Sequence, residues 1–130
     1  MYIHHVGMSD QDYDISVIIP TYNRYELVQK AILSVLNQTF EPIETIVVED
    51  GSNSGIRDWI KMNHPERINV CSHQNNRGLA AARNTGIQYS SGDLIAFLDD
   101  DDIWKRQKIE TQIKRYKSLS EQKSKQTGVV

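Results

Sequence analysis

Four consecutive carboxylates, Asp99-Asp100-Asp101-Asp102, follow a short apolar run, Leu94-Ile95-Ala96-Phe97-Leu98. Adjacent carboxylates repel one another, and partial burial raises their pKa values. A divalent cation removes that cost. Hard oxygen ligands suit Mg2+ or Mn2+, which commonly link one or two carboxylates to substrate phosphates. The simpler role is an exposed acidic turn at the start of a helix, where negative charge is favourable. The position straight after a strongly apolar run favours the metal. An EF-hand calcium loop fits poorly, because no Gly falls at its sixth position. Asp50 closes a second run, Thr45-Ile46-Val47-Val48. There it can accept a ring N–H or a ribose hydroxyl, or cap the next helix. Tyr22, after Pro20-Thr21, can stack on a base or sit half-buried in a loop. Arg77 and Arg83 can meet phosphates or pair with surface carboxylates. His4, His5, His64 and His73 show no metal-ligand spacing, and Cys71 reads as a small core residue. Neither a P-loop nor a G-x-G-x-x-G motif occurs.

These residues need elements to position them. Ile15–Ile19 reads as a buried strand stopped by Pro20. Val28, Ile32 and Leu36 recur at helical spacing with Leu27, Ala31 and Val35, which predicts a helix over 25–37. Thr45–Val48 is a second strand, and its following turn, Gly51-Ser52-Asn53-Ser54, offers helix N-caps. A short helix to about Met62 ends before His64-Pro65. Ile68–Ser72 is a weaker strand, Leu79–Tyr89 a helix rich in small residues, and Leu94–Leu98 the most apolar strand. A last helix reaches about Leu119. Residues 1–14 form an N-terminal extension, 15–119 one domain, and 120–130 a polar, frayed tail. Strand–helix alternation predicts an α/β fold with a mostly parallel sheet of four strands. In such sheets the ligand crevice lies outside the carboxyl ends of the strands. Thr21-Tyr22-Asn23, Glu49-Asp50 and the acidic run all follow strands, so they converge on that edge.

The chain has 130 residues, 38% hydrophobic and 25% charged, which is enough for one folded domain and excludes a disordered or collagen-like chain. No apolar run approaches the roughly 20 residues of a membrane-spanning helix, and the start lacks a secretory pattern. One cysteine excludes an internal disulfide and fits a reducing, cytoplasmic setting. Residues 1–104 carry 7 Lys/Arg against 15 Asp/Glu, whereas residues 105–130 carry 8 against 2. The basic end suits phosphates or an anionic lipid surface, which allows peripheral attachment at the inner face of the cell membrane. It also suits a solvated helix face.

Five segments, taken in order, resemble the family 2 glycosyltransferases. They are Ile15-Ser16-Val17-Ile18-Ile19-Pro20-Thr21-Tyr22-Asn23-Arg24; Ser34-Val35-Leu36-Asn37-Gln38-Thr39; Ile46-Val47-Val48-Glu49-Asp50-Gly51-Ser52; Asn76-Arg77-Gly78-Leu79-Ala80-Ala81-Ala82-Arg83-Asn84; and Gly92-Asp93 through Asp102. The resemblance implies a GT-A (Rossmann-like) three-layer α/β/α sandwich, truncated after the acidic run. It implies an inverting, metal-dependent transferase that moves a sugar from a nucleotide-diphospho-sugar donor, foremost a UDP-sugar. The acceptor would be a saccharide or a lipid-linked one, and no nucleic-acid partner is implied. Carried over by position, Pro20 and Tyr22 contact the base and ribose, flanked by Thr21 and Asn23, and Asp50 reads the base. Asp99-Asp100-Asp101 corresponds to the D-x-D motif. Asp101, with Asp99, would hold Mn2+ or Mg2+, and Asp100 or Asp99 would reach the ribose or sugar. Gly78 and Arg83 complete the donor site. Glu49 departs from the family's usual aspartate at that position. The catalytic base is expected beyond residue 130, so the chain reads as a donor-binding half. A sheet cut short exposes an edge, and a homo-oligomer is one way to cover it. The alternatives are a non-catalytic nucleotide-binding module that serves a partner subunit, and a nucleotidyltransferase. The latter wants a glycine-rich loop that Pro20–Arg24 lacks.

Overall fold

The computed structural model describes residues 2–3 and 13–126, with side chains over 13–122. Five strands form one sheet in the order β1-β5-β2-β3-β4. They are β1 (Tyr2–Ile3), β2 (Ile15–Thr21), β3 (Glu44–Asp50), β4 (Ile68–His73) and β5 (Leu94–Phe97). The four longer strands are parallel, as expected. β1 adds an antiparallel edge, with Tyr2 opposite Ile95 and Ile3 opposite Leu94. β1 lies within the N-terminal extension, of which residues 1 and 4–12 lie outside the described residues.

Side chains alternate across each strand, and the two faces fill from different helices. Ile15, Val17 and Ile19 of β2 meet α1 (Tyr25–Leu36), α2 (Ile56–Asn63) and α4 (Lys108–Gln126) through Val28, Ile32, Ile60, Ile109 and Ile113. Ile18 of β2, with Ile46, Val48 and Ile95, packs on the other face against Ala82 of α3 (Leu79–Tyr89). The result is the expected three-layer sandwich. α3 lies close to the sheet because Gly86 sits over Ile18, where a β-carbon would overlap the Ile18 side chain.

Two boundaries differ from expectation for physical reasons. Pro20 does not stop β2; it pairs in register with Val48. Ile18 O accepts Leu98 N–H, so alternate residues of β2 direct their backbone toward β5. Pro20 points the same way, beyond the last β5 pairing at Phe97. Its missing N–H therefore forfeits no ladder bond. α4 runs to Gln126 rather than Leu119, because residues 93–127 contain no Gly or Pro to break it. Residues 127–130 lie outside the described residues.

Candidate functional site

The carboxyl ends of β2, β3 and β5 open onto a cleft of about 330 Å³. Pro20, Thr21 and Tyr22 line one wall, Asp50 and Leu79 another, and Asp99, Asp100, Asp101 and Arg24 the third. Tyr22 is 47% exposed, so its ring is free to stack.

The four aspartates divide by orientation. Asp100 turns inward, where it accepts Thr21 Oγ1–H at 2.9 Å and Arg24 Nη1–H at 3.2 Å. Asp99, Asp101 and Asp102 face outward, and one carboxylate oxygen from each lies within 4.8 Å of the others. Arg24 also approaches Asp101 at 3.4 Å, and Arg83 approaches Asp99 at 3.3 Å. The Arg83 guanidinium rests over the Phe97 ring at 5.4 Å, and its buried Nε has no hydrogen-bond partner among the described residues. Three hard oxygen donors suit Mg2+ or Mn2+ and give no thiolate or imidazole for a softer ion.

Asp50 is the most heavily bonded carboxylate. Its Oδ1 accepts His73 Nδ1–H at 2.7 Å and Arg77 N–H at 2.8 Å; its Oδ2 accepts Gly78 N–H at 2.8 Å. Burial pushes the Asp50 carboxyl up. The bonds from His73, Arg77 and Gly78 outweigh that, and hold it below its ordinary value. Asp50 does not cap α2; Gly55 occupies that position. Of the turn serines, Ser54 reaches the helix start, where its Oγ accepts Ile56 N–H at 3.4 Å. Glu49 is buried, and its Oε2 accepts Ser52 Oγ–H, Ser54 N–H and Ser54 Oγ–H. The departure at Glu49 is therefore absorbed by its own turn. Gly51 has φ +81° and lies directly beneath Asn75–Asn76, where any β-carbon would meet their backbone. This close approach brings the 75–78 loop down onto Asp50.

Of the residues singled out by sequence, Pro20, Thr21, Tyr22, Asp50, Asp99, Asp100 and Asp101 share the cleft. Gly78 and Arg83 touch it indirectly, through Asp50 and Asp99. Asn23 lies outside its lining; it adopts φ 55° and donates its N–H to Ser52 Oγ. Three further participants were not named as site residues. Arg24 and Asp102 stood inside the quoted motifs, so their signal was present. His73 stood alone at a strand end and carried none. Burial pushes the Cys71 thiol up, with Arg57 opposing, which agrees with its packing role.

A family model, Glycosyl transferase family 2, matches residues 16–121. The chain belongs to glycosyltransferase family 2. Among its relatives, a UDP-Glc:alpha-D-GlcNAc-diphosphoundecaprenol beta-1,3-glucosyltransferase, WfgD, of Escherichia coli is 41% identical over 102 residues, 78% of this chain and 40% of that protein. The putative teichuronic acid biosynthesis glycosyltransferase TuaG of Bacillus subtilis is 40% identical over 101 residues, 76% of this chain and 40% of that protein. An uncharacterized glycosyltransferase of Rickettsia bellii is 47% identical over 104 residues, 80% of this chain and 15% of that protein. The chain thus spans well under half the length of these relatives. The fold matches the mannosyltransferase PcManGT of Pyrobaculum calidifontis, solved with GDP-Man and Mn2+, at TM-score 0.70 and 24% identity over 88% of this chain and 35% of that one. It also matches S. aureus TarS 1–349 in complex with UDP, at TM-score 0.70 and 24% identity over 78% of this chain and 31% of that one. These likenesses establish the GT-A fold. Among the described residues no helix is long and apolar enough to cross a membrane.

Proposed function

We propose that this chain is the donor-binding segment of an inverting, metal-dependent family 2 glycosyltransferase. The observation that carries the reading is the convergence of Tyr22, Asp50 and the Asp99–Asp101 run on one carboxyl-edge cleft. Tyr22 stacks on the base and Asp50 accepts a base N–H. Asp100, held by Thr21 and Arg24, faces the ribose or sugar. Asp99, Asp101 and Asp102 hold Mn2+ or Mg2+. Bound there, the cation neutralises charge on the departing diphosphate. Arg24 and Arg83 are the cationic side chains at the acidic run, and they balance its charge beside the phosphates. The acceptor is a saccharide or a lipid-linked saccharide, by analogy with the WfgD and TuaG names.

Calorimetric titration of UDP, GDP and dTDP, with and without Mn2+, tests this. A nucleoside diphosphate binds in Mn2+ and weakens strongly with chelator, and Asp101→Ala removes the metal dependence. Equal affinity in chelator would overturn the metal role. No binding of any nucleotide would overturn the donor-binding reading.

A further inference from the structure

The register of the sheet places Asp50 and His73 opposite each other at the ends of β3 and β4. Both side chains are 6% exposed. An ionised carboxylate only accepts hydrogen bonds, so the 2.7 Å contact requires the proton on His73 Nδ1. The other ring nitrogen, Nε2, lies 2.7 Å from the Thr85 hydroxyl and makes a second hydrogen bond there. Thr85 lies on α3, whose preceding residue Gly78 donates its N–H to the other Asp50 oxygen. A chain of bonds therefore fixes the ring, and the ring fixes the carboxylate.

A carboxylate offers about four lone-pair sites. His73, Arg77 N–H and Gly78 N–H occupy three, two of them on Oδ1. One acceptor remains, on Oδ2. We propose that His73 sets the base selectivity of the cleft, as a positioning residue that acts through Asp50. By closing Oδ1 it leaves a single acceptor for the base. A pyrimidine-2,4-dione, uracil or thymine, presents one ring N–H between two carbonyls and matches that acceptor. Guanine presents two adjacent N–H groups and leaves one unpaired. Adenine and cytosine turn a ring lone pair toward the carboxylate. This rests on the donor-binding reading above and specifies its base class.

The test is calorimetry of UDP and GDP in Mn2+ with the 130-residue chain and its His73→Leu, His73→Asn and Thr85→Val variants, each melted to establish folding. A lost or unpaired hydrogen bond to a charged group shifts affinity by about tenfold. The wild-type chain is expected to favour UDP by about tenfold or more. His73→Leu weakens UDP by about tenfold and narrows the UDP-to-GDP ratio to about threefold, because Oδ1 becomes free. His73→Asn keeps a donor beside Oδ1 and keeps the ratio. Thr85→Val frees the ring and narrows the ratio to an intermediate value. A folded His73→Leu variant with unchanged ratio, or with UDP and GDP weakened equally, overturns the proposal. If His73→Leu fails to fold, an unchanged ratio in Thr85→Val overturns it. A wild-type chain that binds neither nucleotide defeats the donor-binding reading itself, and the inference with it.

Discussion

Asp50 ties β3 to β4 and to the 75–78 loop, and the recognition role proposed above would use the same carboxylate. Its three bonds are made to the charged form, so Asp50→Asn places an amide N–H₂ against backbone donors. The variant should lose about 2 kcal/mol of stability at neutral pH, measured by urea unfolding. The pH dependence follows from the depressed carboxyl pKa. The stabilisation is fully present above the unfolded value near 3.8 and disappears as pH falls through the lower folded value. The gap between wild type and Asp50→Asn should therefore close below about pH 4. Arg24 gives a second prediction. It bridges Asp100 and Asp101 at 3.2 and 3.4 Å, and so competes with any cation there. Arg24→Ala should raise Mn2+ affinity up to about fivefold, the upper worth of a half-exposed ion pair, as read by calorimetry at low salt. Asp50 and the acidic run were legible because carboxylates directly after β-branched runs have a predictable place at the sheet edge. His73 was not, because its role comes from strand register, which a lone histidine in a weak strand does not encode.

At the scale of elements, hydrophobic pattern located all four long strands and all four helices. It worked because each long strand is a short β-branched or apolar block, α1, α2 and α4 carry apolar residues at helical spacing, and α3 is rich in small residues. Its misses were local. Pro20 extends β2 because its missing N–H falls where β5 has ended, and a sequence does not show which neighbour a residue faces. β1 is two residues long, too short for any periodicity. The interface of α3 with β2 is close, since Gly86 admits Ile18. Gly86→Val should lift α3 from the sheet and cost about 1–3 kcal/mol, seen as a lower melting temperature. Nucleotide affinity should fall with it, because α3 begins at the loop that holds Asp50. An unchanged melting point would show that Ile18 re-packs freely.

For the whole molecule the decisive question is where the catalytic base lies. Among the described residues, every carboxylate near the cleft already has partners or belongs to the acidic group. Glu49 serves its turn, Asp50 the 75–78 loop, and Asp100 Thr21 and Arg24. Glu110 accepts Thr39 Oγ1–H and pairs with Lys114. A carboxylate bound to a cation is a poor proton acceptor. The 130-residue chain should therefore bind donor yet transfer no sugar in a radiolabelled-donor assay with free and lipid-linked acceptors. Reproducible transfer that Glu110→Gln abolishes would locate the base within it. The strand order carries one more consequence, for the time course of synthesis. β2 sits at the centre of the sheet, between β3 and β5. On a ribosome β3 and β4 can join it early, but its other edge waits for β5. At the usual rate of about 5–20 residues per second, the 21 residues from His73 to Leu94 take roughly 1 to 4 s. During that interval the nascent chain holds Tyr22 and Asp50 without the acidic wall, and offers an unpaired apolar strand to any neighbour. The chain is thus most open to misassembly between the synthesis of β4 and that of β5.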